Sequence, residues 1–530
     1  MLVFLRRYAW ALLSGVLLAW AFPTFHWYPL AWVALVPLLV RAARCAPREA
    51  AFQFLAAGWI FYSITLQWLN ANIFWAGGWA ILGQQGLCLV LAAFWAALGA
   101  LWSRLHRRWP GGRAALLFAA LWITMEWVQA RAFTGFCWAA LGYSQGPDAW
   151  FAQLASLGGV ILLSGILASV NASLAQAILA PDQRWIPAAR ALATVLLAHL
   201  IGLALYRAPE SADPPYMVGL YQSNYPQHMK WDPDFQEEML EMAVVQSHAV
   251  ASAEPTQLFV WPEALVMSDF RVPRVLEQLQ SFAASTDTPL FTGAVRRDNA
   301  SGAAYNSSVL VRPDGATETY DKVHLAPFGE YIPFEERLSF ARAFGAQGGL
   351  SAGAEQVVME AGGRRFGPLI CFEVLFAPQA SECRALGADF LVVITNLAWF
   401  GQSNILGQEL EIARFRAIEN RLPLVQCANT GVSAVIDPYG RIDVIDGFVG
   451  RQGYVTWREG KPAPADAMLQ RRAAAMPVPP PAAMLLPGSV DWFGRIVPIL
   501  ALAGVAILLA GKRGTSAPAN APEPAPEKSP

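Results

Sequence analysis

Along the first 207 residues apolar positions run almost without a break, whereas the remainder mixes short apolar runs with amphipathic stretches. A helix that crosses a bilayer needs about 20 mostly apolar residues, because every backbone polar group must be satisfied inside the segment. Seven stretches before residue 207 fit, at about 8–23, 27–43, 50–69, 78–101, 114–129, 154–179 and 186–206, and an eighth lies at about 494–511. The first follows Arg6 and Arg7. No small-residue cleavage site comes after it and more spans do, so it reads as a retained helix rather than a signal peptide.

From 216 to 455 the period changes. Apolar runs such as MVGLYQ, QLFVWPE, PLFTGAV, NSSVLVR, GPLIC and FLVVITN have strand length, and DFQEEMLEMAVVQSHAV, PRVLEQLQSFAAS and GQELEIARFRAIENR have helical length. The alternation predicts an α/β domain with a mixed, helix-covered sheet. The expected organisation is a seven-helix membrane domain over 1–207, an exported α/β domain over 208–455, an extended Pro-rich linker over 456–493, the eighth membrane helix at 494–511 and a disordered cytoplasmic tail over 512–530.

Composition sharpens this division. Only 15% of residues are charged, against about 25% in an ordinary soluble domain. Residues 1–207 hold 13 Arg, no Lys and four Asp or Glu. Eleven of those arginines fall before the first span, in the loops after spans two, four and six, or, for Arg190, in the first turns of span seven. By the positive-inside rule those ends face the cytoplasm, so both termini are expected there and residues 208–493 on the outer side. Sixteen of the 21 Trp lie in the first 207 residues, as suits interfacial belts. A net charge of −1 excludes a strongly basic nucleic-acid binder. Six Cys in 530 residues exclude a disulfide-built scaffold, and no Cys/His cluster has metal-ligand spacing. The polar segment around Glu126 and Arg131 reads as a structured outer loop or a substrate-facing surface.

Polar residues that end buried strands collect at one edge of an α/β sheet. Here QLFVWPE delivers Glu263, GPLICFE delivers Cys371 and Glu373, and YDKVHLAPFGEYIPF carries Lys322 and Glu330. A thiolate is the competent form of a cysteine nucleophile, so a carboxylate must take its proton and a cation must favour the anion. Glu263 fits the base and Lys322 the cation, and the Phe372 amide would add an oxyanion contact. Singly, each is ordinary: a core thiol, a strand-to-turn junction, a solvated lysine. In combination they are specific. Cys371, Cys383 and Cys427 are an odd set in the exported part, so at least one thiol is unpaired; Cys383 and Cys427 are expected to be free or buried rather than bridged to Cys371.

On these residues the soluble part resembles the nitrilase superfamily, through WPEALV, DKVHLAPFGEYIPF, ICFE and TNLAWFG. Over about 1–511 the chain resembles the bacterial apolipoprotein N-acyltransferases, with YQSNYPQHMKWD, YNSS, LAWVALVPLL and FTGFCW as further matches. The resemblance implies an integral membrane α-helical bundle joined to an α-β-β-α sandwich in the inner membrane. It implies a Glu263–Lys322–Cys371 triad supported by Glu330, Glu373 and Phe372, with Trp231, Asn306, Trp399 and Phe400 touching substrate, and neither cofactor nor metal. The implied reaction is a ping-pong transfer of an acyl group from a phospholipid, through a Cys371 thioester, to the amine of a diacylglyceryl-modified apolipoprotein. A membrane-tethered amidase and a non-catalytic lipoprotein-binding paralogue are the alternatives. The apolar stretch with Phe334, Leu338, Phe340 and Phe344 is expected to form a lid. The family pattern differs at Leu397 (usually Asp), Glu409 (usually His), Cys137 (usually Pro) and Gln129 (usually Arg), departures that bear on substrate docking and loop anchoring.

Overall fold

The computed structural model describes residues 2–23, 25–72, 77–109, 112–208, 212–230, 232–338, 348–401, 403–445, 457–458, 461–462 and 472–510. The N-terminal part is helical throughout: α1 (Leu2–Trp20), α2 (Val36–Ala43), α3 (Pro47–Thr65), α4 (Trp79–Arg108), α5 (Gly112–Gln129), α6 (Ala155–Leu179) and α7 (Trp185–Leu205). Among the described residues, three helices are long and apolar enough to cross a membrane: Trp79–Arg108, Phe151–Leu179 and Trp185–Leu205. The second expected span, 27–43, is not one helix. A 3-10 turn, Tyr28–Trp32, breaks before the eight-residue α2, because Pro37 cannot donate to the Val33 carbonyl as a continuous helix requires. Helices α1, α3 and α5 have 19, 19 and 18 residues, which rise about 27–29 Å, close to the hydrocarbon thickness.

The second part is a two-sheet sandwich. β1 (Tyr216–Gln222), β2 (Leu258–Val260), β3 (Val266–Asp269), β4 (Leu290–Arg297), β5 (Ala304–Val311) and β6 (Thr317–Asp321) build one sheet with helices α8 (Pro233–Ala253) and α9 (Pro273–Thr286). β7 (Met359–Ala361), β8 (Arg364–Ile370), β9 (Phe390–Thr395), β10 (Leu424–Ala428), β11 (Ala434–Ile436) and β12 (Ile442–Val444) build the other, with α10 (Ala377–Ala385) and α11 (Ile405–Asn420). Val218, Val260, Phe291, Phe366, Val392 and Val425 interdigitate between the sheets, while Trp261, Phe282 and Leu290 lie in the core under the first helix layer. A small hairpin pairs β13 (Trp457–Arg458) with β14 (Lys461–Pro462).

The stretch 456–493, expected to be an extended linker, instead contributes a strand. β15 (Arg472–Val478) pairs antiparallel with β1 over its whole length and closes the edge of the first sheet. Its alanine-rich sequence hides this: the strand gains from main-chain pairing and little from large side chains. Helix α12 (Ser489–Ala510) follows, starting earlier than the 494 expected. The tail 512–530 lies outside the described residues.

The two parts share one core. A single buried cluster runs from Phe54, Trp95 and Phe118 in the membrane helices to Leu369, Val393, Phe415 and Leu424 in the sandwich. Helix α11 is the joint, with every residue but Arg414 buried. Its polar side chains bond to the membrane part: Trp138 Nε1 donates to Gln408 Oε1 at 2.7 Å, Gln408 Nε2 to the Thr65 carbonyl at 2.9 Å, and Arg416 to the Tyr143 hydroxyl at 2.9 Å. Arg416 also pairs with Glu419 at 2.9 Å, and Glu419 accepts the Val160 N–H at 2.8 Å, where α6 is kinked at Gly158 and Gly159. Removing one partner of a buried ion pair costs about 3–5 kcal/mol. Arg416→Ala is therefore expected to lower the unfolding temperature of the detergent-solubilised protein clearly, and an unchanged midpoint would show that the joint does not depend on this pair.

Candidate active site

Three strand ends converge at one edge of the sandwich. β2 runs into Glu263, β6 into Lys322 and β8 into Cys371. After Glu263 the chain turns through Ala264, whose φ is 50°. Gly293 on β4 lies directly behind, where a Cβ would stand 2.5 Å from the Ala264 nitrogen and 2.6 Å from the Glu263 Cα, so only glycine lets this turn rest on the sheet. Cys371 is also left-handed, with φ 52°, a conformation that costs a non-glycine residue about 1–3 kcal/mol and gathers at functional sites. The 3-10 turn Cys371–Leu375 follows at once.

Glu373 ties that turn to the lysine-bearing loop. Its Oε1 accepts the Tyr320 hydroxyl at 2.8 Å, the Val323 and His324 N–H groups at 2.7 and 3.1 Å, and Gln379 Nε2 at 3.1 Å. Its Oε2 accepts the Ile370 N–H at 2.8 Å. Glu373 is therefore a clamp between the strand ends that carry Lys322 and Cys371. His324 stacks on Phe376 at 4.3 Å.

Lys322 sits between two carboxylates. Its Nζ donates to Glu330 Oε1 at 2.9 Å and lies 3.8 Å from Glu263 Oε1. Asn306 Nδ2 donates to Glu263 Oε1 at 2.8 Å and to Glu330 Oε1 at 2.7 Å. The Asn306 side-chain amide, expected to touch substrate, is thus spent on the two acids and fixes their spacing. Glu330 is anchored in turn by the Ala326 N–H.

A second buried cation was not visible as a site residue in the sequence. Lys230, from the short helical turn Gln227–Lys230, is fully buried and donates to the Glu263 carbonyl at 3.0 Å. Its signal was a lysine inside the QHMKWD block, indistinguishable from a solvated helix end until the fold covered it.

Burial sets the protonation pattern. It opposes charge on Lys322, yet Glu330 and Glu263 outweigh it and hold the ammonium well above the ordinary lysine value. Burial lowers Lys230 to about 8, with Glu263 and Cys371 opposing. Burial also raises Glu263, against the pull of Lys322 and together with the charge of Glu330. The Cys371 thiol is pushed well above its usual value by burial and then by Glu263, with Lys322 acting the other way. The expected lowering by Lys322 is present but does not win. The sulfur rests as a thiol beside a carboxylate, an arrangement suited to proton transfer during attack rather than before it.

Beyond the polar cluster, Phe372 follows Cys371 and its ring meets Phe376 edge-on at 5.4 Å. Trp399 and Phe400 lie on the turn Leu397–Phe400 after β9, and Phe400 packs edge-on against Trp68 of the membrane part at 4.9 Å. Phe328 and Phe334, flanking Glu330, are exposed. Trp231, Phe340 and Phe344 lie outside the described residues, as does half of the expected lid. The loop after α5 docks beneath the Cys371–Leu375 turn, where the Cys137 thiol meets the Leu375 carbonyl at 3.6 Å. Glu126 is buried and accepts the Leu141 N–H at 2.8 Å, so this segment is a structured loop. Gln129 bonds the Leu91 carbonyl inside the bundle, and Leu397 is buried. Cys383 and Cys427 are free and buried.

Residues 14–173 match the family described as the apolipoprotein N-acyltransferase N-terminal domain, and residues 217–445 match the carbon-nitrogen hydrolase family. The chain is 35% identical over 450 residues to the apolipoprotein N-acyltransferase of Geobacter metallireducens, covering 82% of this chain and 86% of the relative. It is 37% identical over 451 residues to that of Azotobacter vinelandii, covering 82% and 85%. The chain belongs to the apolipoprotein N-acyltransferase family. Among solved structures it is similar to Saccharomyces cerevisiae Nit3, a member of branch 10 of the nitrilase superfamily, with a TM-score of 0.36 and 20% identity over 46% of this chain and 90% of that one.

For a member of this family, the close approach at Gly293 and the second lysine make direct predictions. Gly293→Ala is expected to displace Glu263 and lower kcat/KM about 10²-fold, the scale of an ångström-level misplacement, with the protein still folded by its melting profile. On the expectation that Glu263 is the base, it accepts a proton only when ionised, so activity is expected to rise as pH climbs through its raised pKa. Lys230 pulls that pKa down. Lys230→Met should therefore shift the acid limb of the pH profile to higher pH, with the largest loss at low pH; an unmoved limb would show that the two groups do not communicate.

Proposed function

We propose that this apolipoprotein N-acyltransferase family member works by two acyl transfers on Cys371, with Glu263 as general base and acid and Lys322 as the oxyanion partner. In the first, the Cys371 sulfur attacks the ester carbonyl of a phospholipid while Glu263 takes the thiol proton. The tetrahedral oxyanion faces Lys322 and the Phe372 N–H. Collapse breaks the C–O bond, Glu263 returns the proton to the leaving glycerol oxygen, and a lysophospholipid departs from the thioester. In the second, the α-amine of a diacylglyceryl-cysteine on a lipoprotein attacks that thioester. Glu263 takes the amine proton and gives it to the departing sulfur, which leaves an amide on the lipoprotein and restores the thiol.

The observation that carries this reading is the buried Glu263–Lys322–Glu330 cluster beside Cys371, on a sandwich whose core continues into apolar helices. Because Lys322 keeps its charge against two acids, it remains a donor for an oxyanion throughout the cycle. Because Phe400 packs on Trp68, an apolar path from the membrane part ends near the strand edge, where an acyl chain would lie along Trp399 and Phe400. Exposed Phe328 and Phe334 suit contact with lipid on the other side of the Glu330 loop.

The distribution of arginines supports an outward-facing catalytic domain. The helix ends that meet it, at Thr65, Trp138 and Val160, belong to the arginine-poor loops, while Arg41, Arg44, Arg48, Arg104, Arg107, Arg108, Arg184 and Arg190 lie at the other ends. The same asymmetry supports both termini being cytoplasmic, and the apolar helices support placement in a bacterial inner membrane. A reporter fused near residue 300 should register on the outer side, and a cytoplasmic signal would reverse the assignment.

The chemistry is tested by mass spectrometry of the purified protein after exposure to phospholipid. An acyl mass is expected on the Cys371 peptide of the wild type and absent from Cys371→Ala. With a labelled phospholipid and a diacylglyceryl peptide, label should move to the peptide amine; label released only as free fatty acid would identify a hydrolase instead. Lys322→Arg keeps the charge but replaces a compact ammonium by a planar fork between two fixed carboxylates, so the acylation rate should fall sharply.

A further inference from the structure

Glu409 on α11 lies next to the nucleophile without belonging to the triad. The pairing of Ile370 with Ile394 across β8 and β9 sets Cys371 beside Thr395. Thr395 Oγ1 stands 2.8 Å from Glu409 Oε1, and the Thr395 side chain acts to favour the anion of the neighbouring Cys371 thiol. Glu409 is 1% exposed, and its Oε2 is buried with no hydrogen-bond partner. No cation forms an ion pair with it among the described residues. A carboxylate in that position would be a buried charge without a counter-ion, whereas a carboxylic acid is a donor with one acceptor at hand.

A threonine hydroxyl carries a single proton, so it can serve either Glu409 or the sulfur as donor, not both. We propose, on the reading of Cys371 as nucleophile, that Glu409 is a proton-controlled positioning residue: as the neutral acid it donates to Thr395 Oγ1 and turns the Thr395 proton toward the Cys371 sulfur. When Glu409 loses its proton to solvent, the Thr395 hydroxyl swings to the new carboxylate. The sulfur then loses a donor and gains a neighbouring negative charge, and both changes disfavour the thiolate and the developing charge of attack.

Local charge points the same way. Lys322 and Lys230 balance Glu263 and Glu330, so a thiolate alone adds one buried negative charge and an ionised Glu409 would add a second. The charged groups that face Glu409 from other elements are Glu263 after β2, Lys322 after β6 and Cys371 after β8, with Lys230 behind Glu263. On α11 itself, Glu411 pairs with Arg414, while Arg416 and Glu419 turn to Tyr143 and Val160, in the company of Cys137 and Glu126 of the membrane part. Burial first, and Glu263 after it, raise Glu409 to about 8, against Thr395 and Lys322. The switch thus operates just above neutrality.

The test follows alkylation of Cys371 by iodoacetamide in the full-length protein in detergent, read peptide by peptide by mass spectrometry from pH 6.5 to 9.5. Alkylation reports the sulfur without needing either lipid substrate, so a failed acylation experiment and a failed switch remain distinct. Lys230 loses its proton over the same range in both proteins, and the ratio of the Glu409→Gln rate to the wild-type rate therefore isolates Glu409. That ratio is expected to grow at least fivefold across the range; a constant ratio overturns the proposal. Thr395→Val provides a second reading that does not depend on Glu409→Gln folding. It should slow alkylation at pH 6.5 at least fivefold, and a rate equal to wild type would overturn the role of the hydroxyl.

Discussion

The structure of the site depends on one buried contact, the Lys322 ammonium held between Glu263 and Glu330. Three charges taken out of water are unfavourable unless each is paired and hydrogen-bonded, and here Asn306 and the Ala326 N–H supply further bonds to the two acids. Much follows from that requirement: β2, β5 and β6 must end in register, the loop to Glu330 must fold back, and Gly293 must stay small. The same contact decides the chemistry. A lysine that cannot lose its proton is a fixed electrostatic partner, and a carboxylate raised by burial is a base that can also return its proton.

Cys371 is placed in an environment that disfavours its own charge. Cys371 sits in a left-handed conformation at the end of a buried strand, beside two acids and opposite two lysines. Such a thiol holds its proton at neutral pH. Reactivity then depends on proton transfer in the attack itself, and small changes in the surrounding donors weigh heavily. Thr395 and Glu409 belong to that surrounding layer.

The membrane part is more than an anchor. Helix α11 is buried except at Arg414 and bonds to both halves: Glu409 meets Thr395 at the end of β9, and Gln408, Arg416 and Glu419 grip Trp138, Thr65, Tyr143 and Val160. The loop after α5 reaches the Cys371–Leu375 turn through Cys137 and Leu375, and Phe400 packs edge-on against Trp68. A site joined to the bilayer by a shared core keeps a fixed position relative to lipid, which a flexible tether would not give.

The apolar runs, the change from long helices to short alternating segments, and the Glu263, Lys322, Cys371 order were legible in the sequence, because chain-local periodicity determines helices and strands and the chemistry of a triad requires particular residue types. Contacts distant in sequence were not. The break before Pro37 looked like one more span because hydropathy does not see a missing donor. Strand β15 looked like linker because its alanines carry little hydrophobic signal and its stability comes from pairing with β1. Lys230 and Asn306 took their roles only when folding buried one against the Glu263 carbonyl and spent the other on two acids. Glu409 reads in the sequence as one more charge on an amphipathic helix. Only the tertiary structure, by enclosing that helix between sheet and membrane helices, removed the water that would have ionised it.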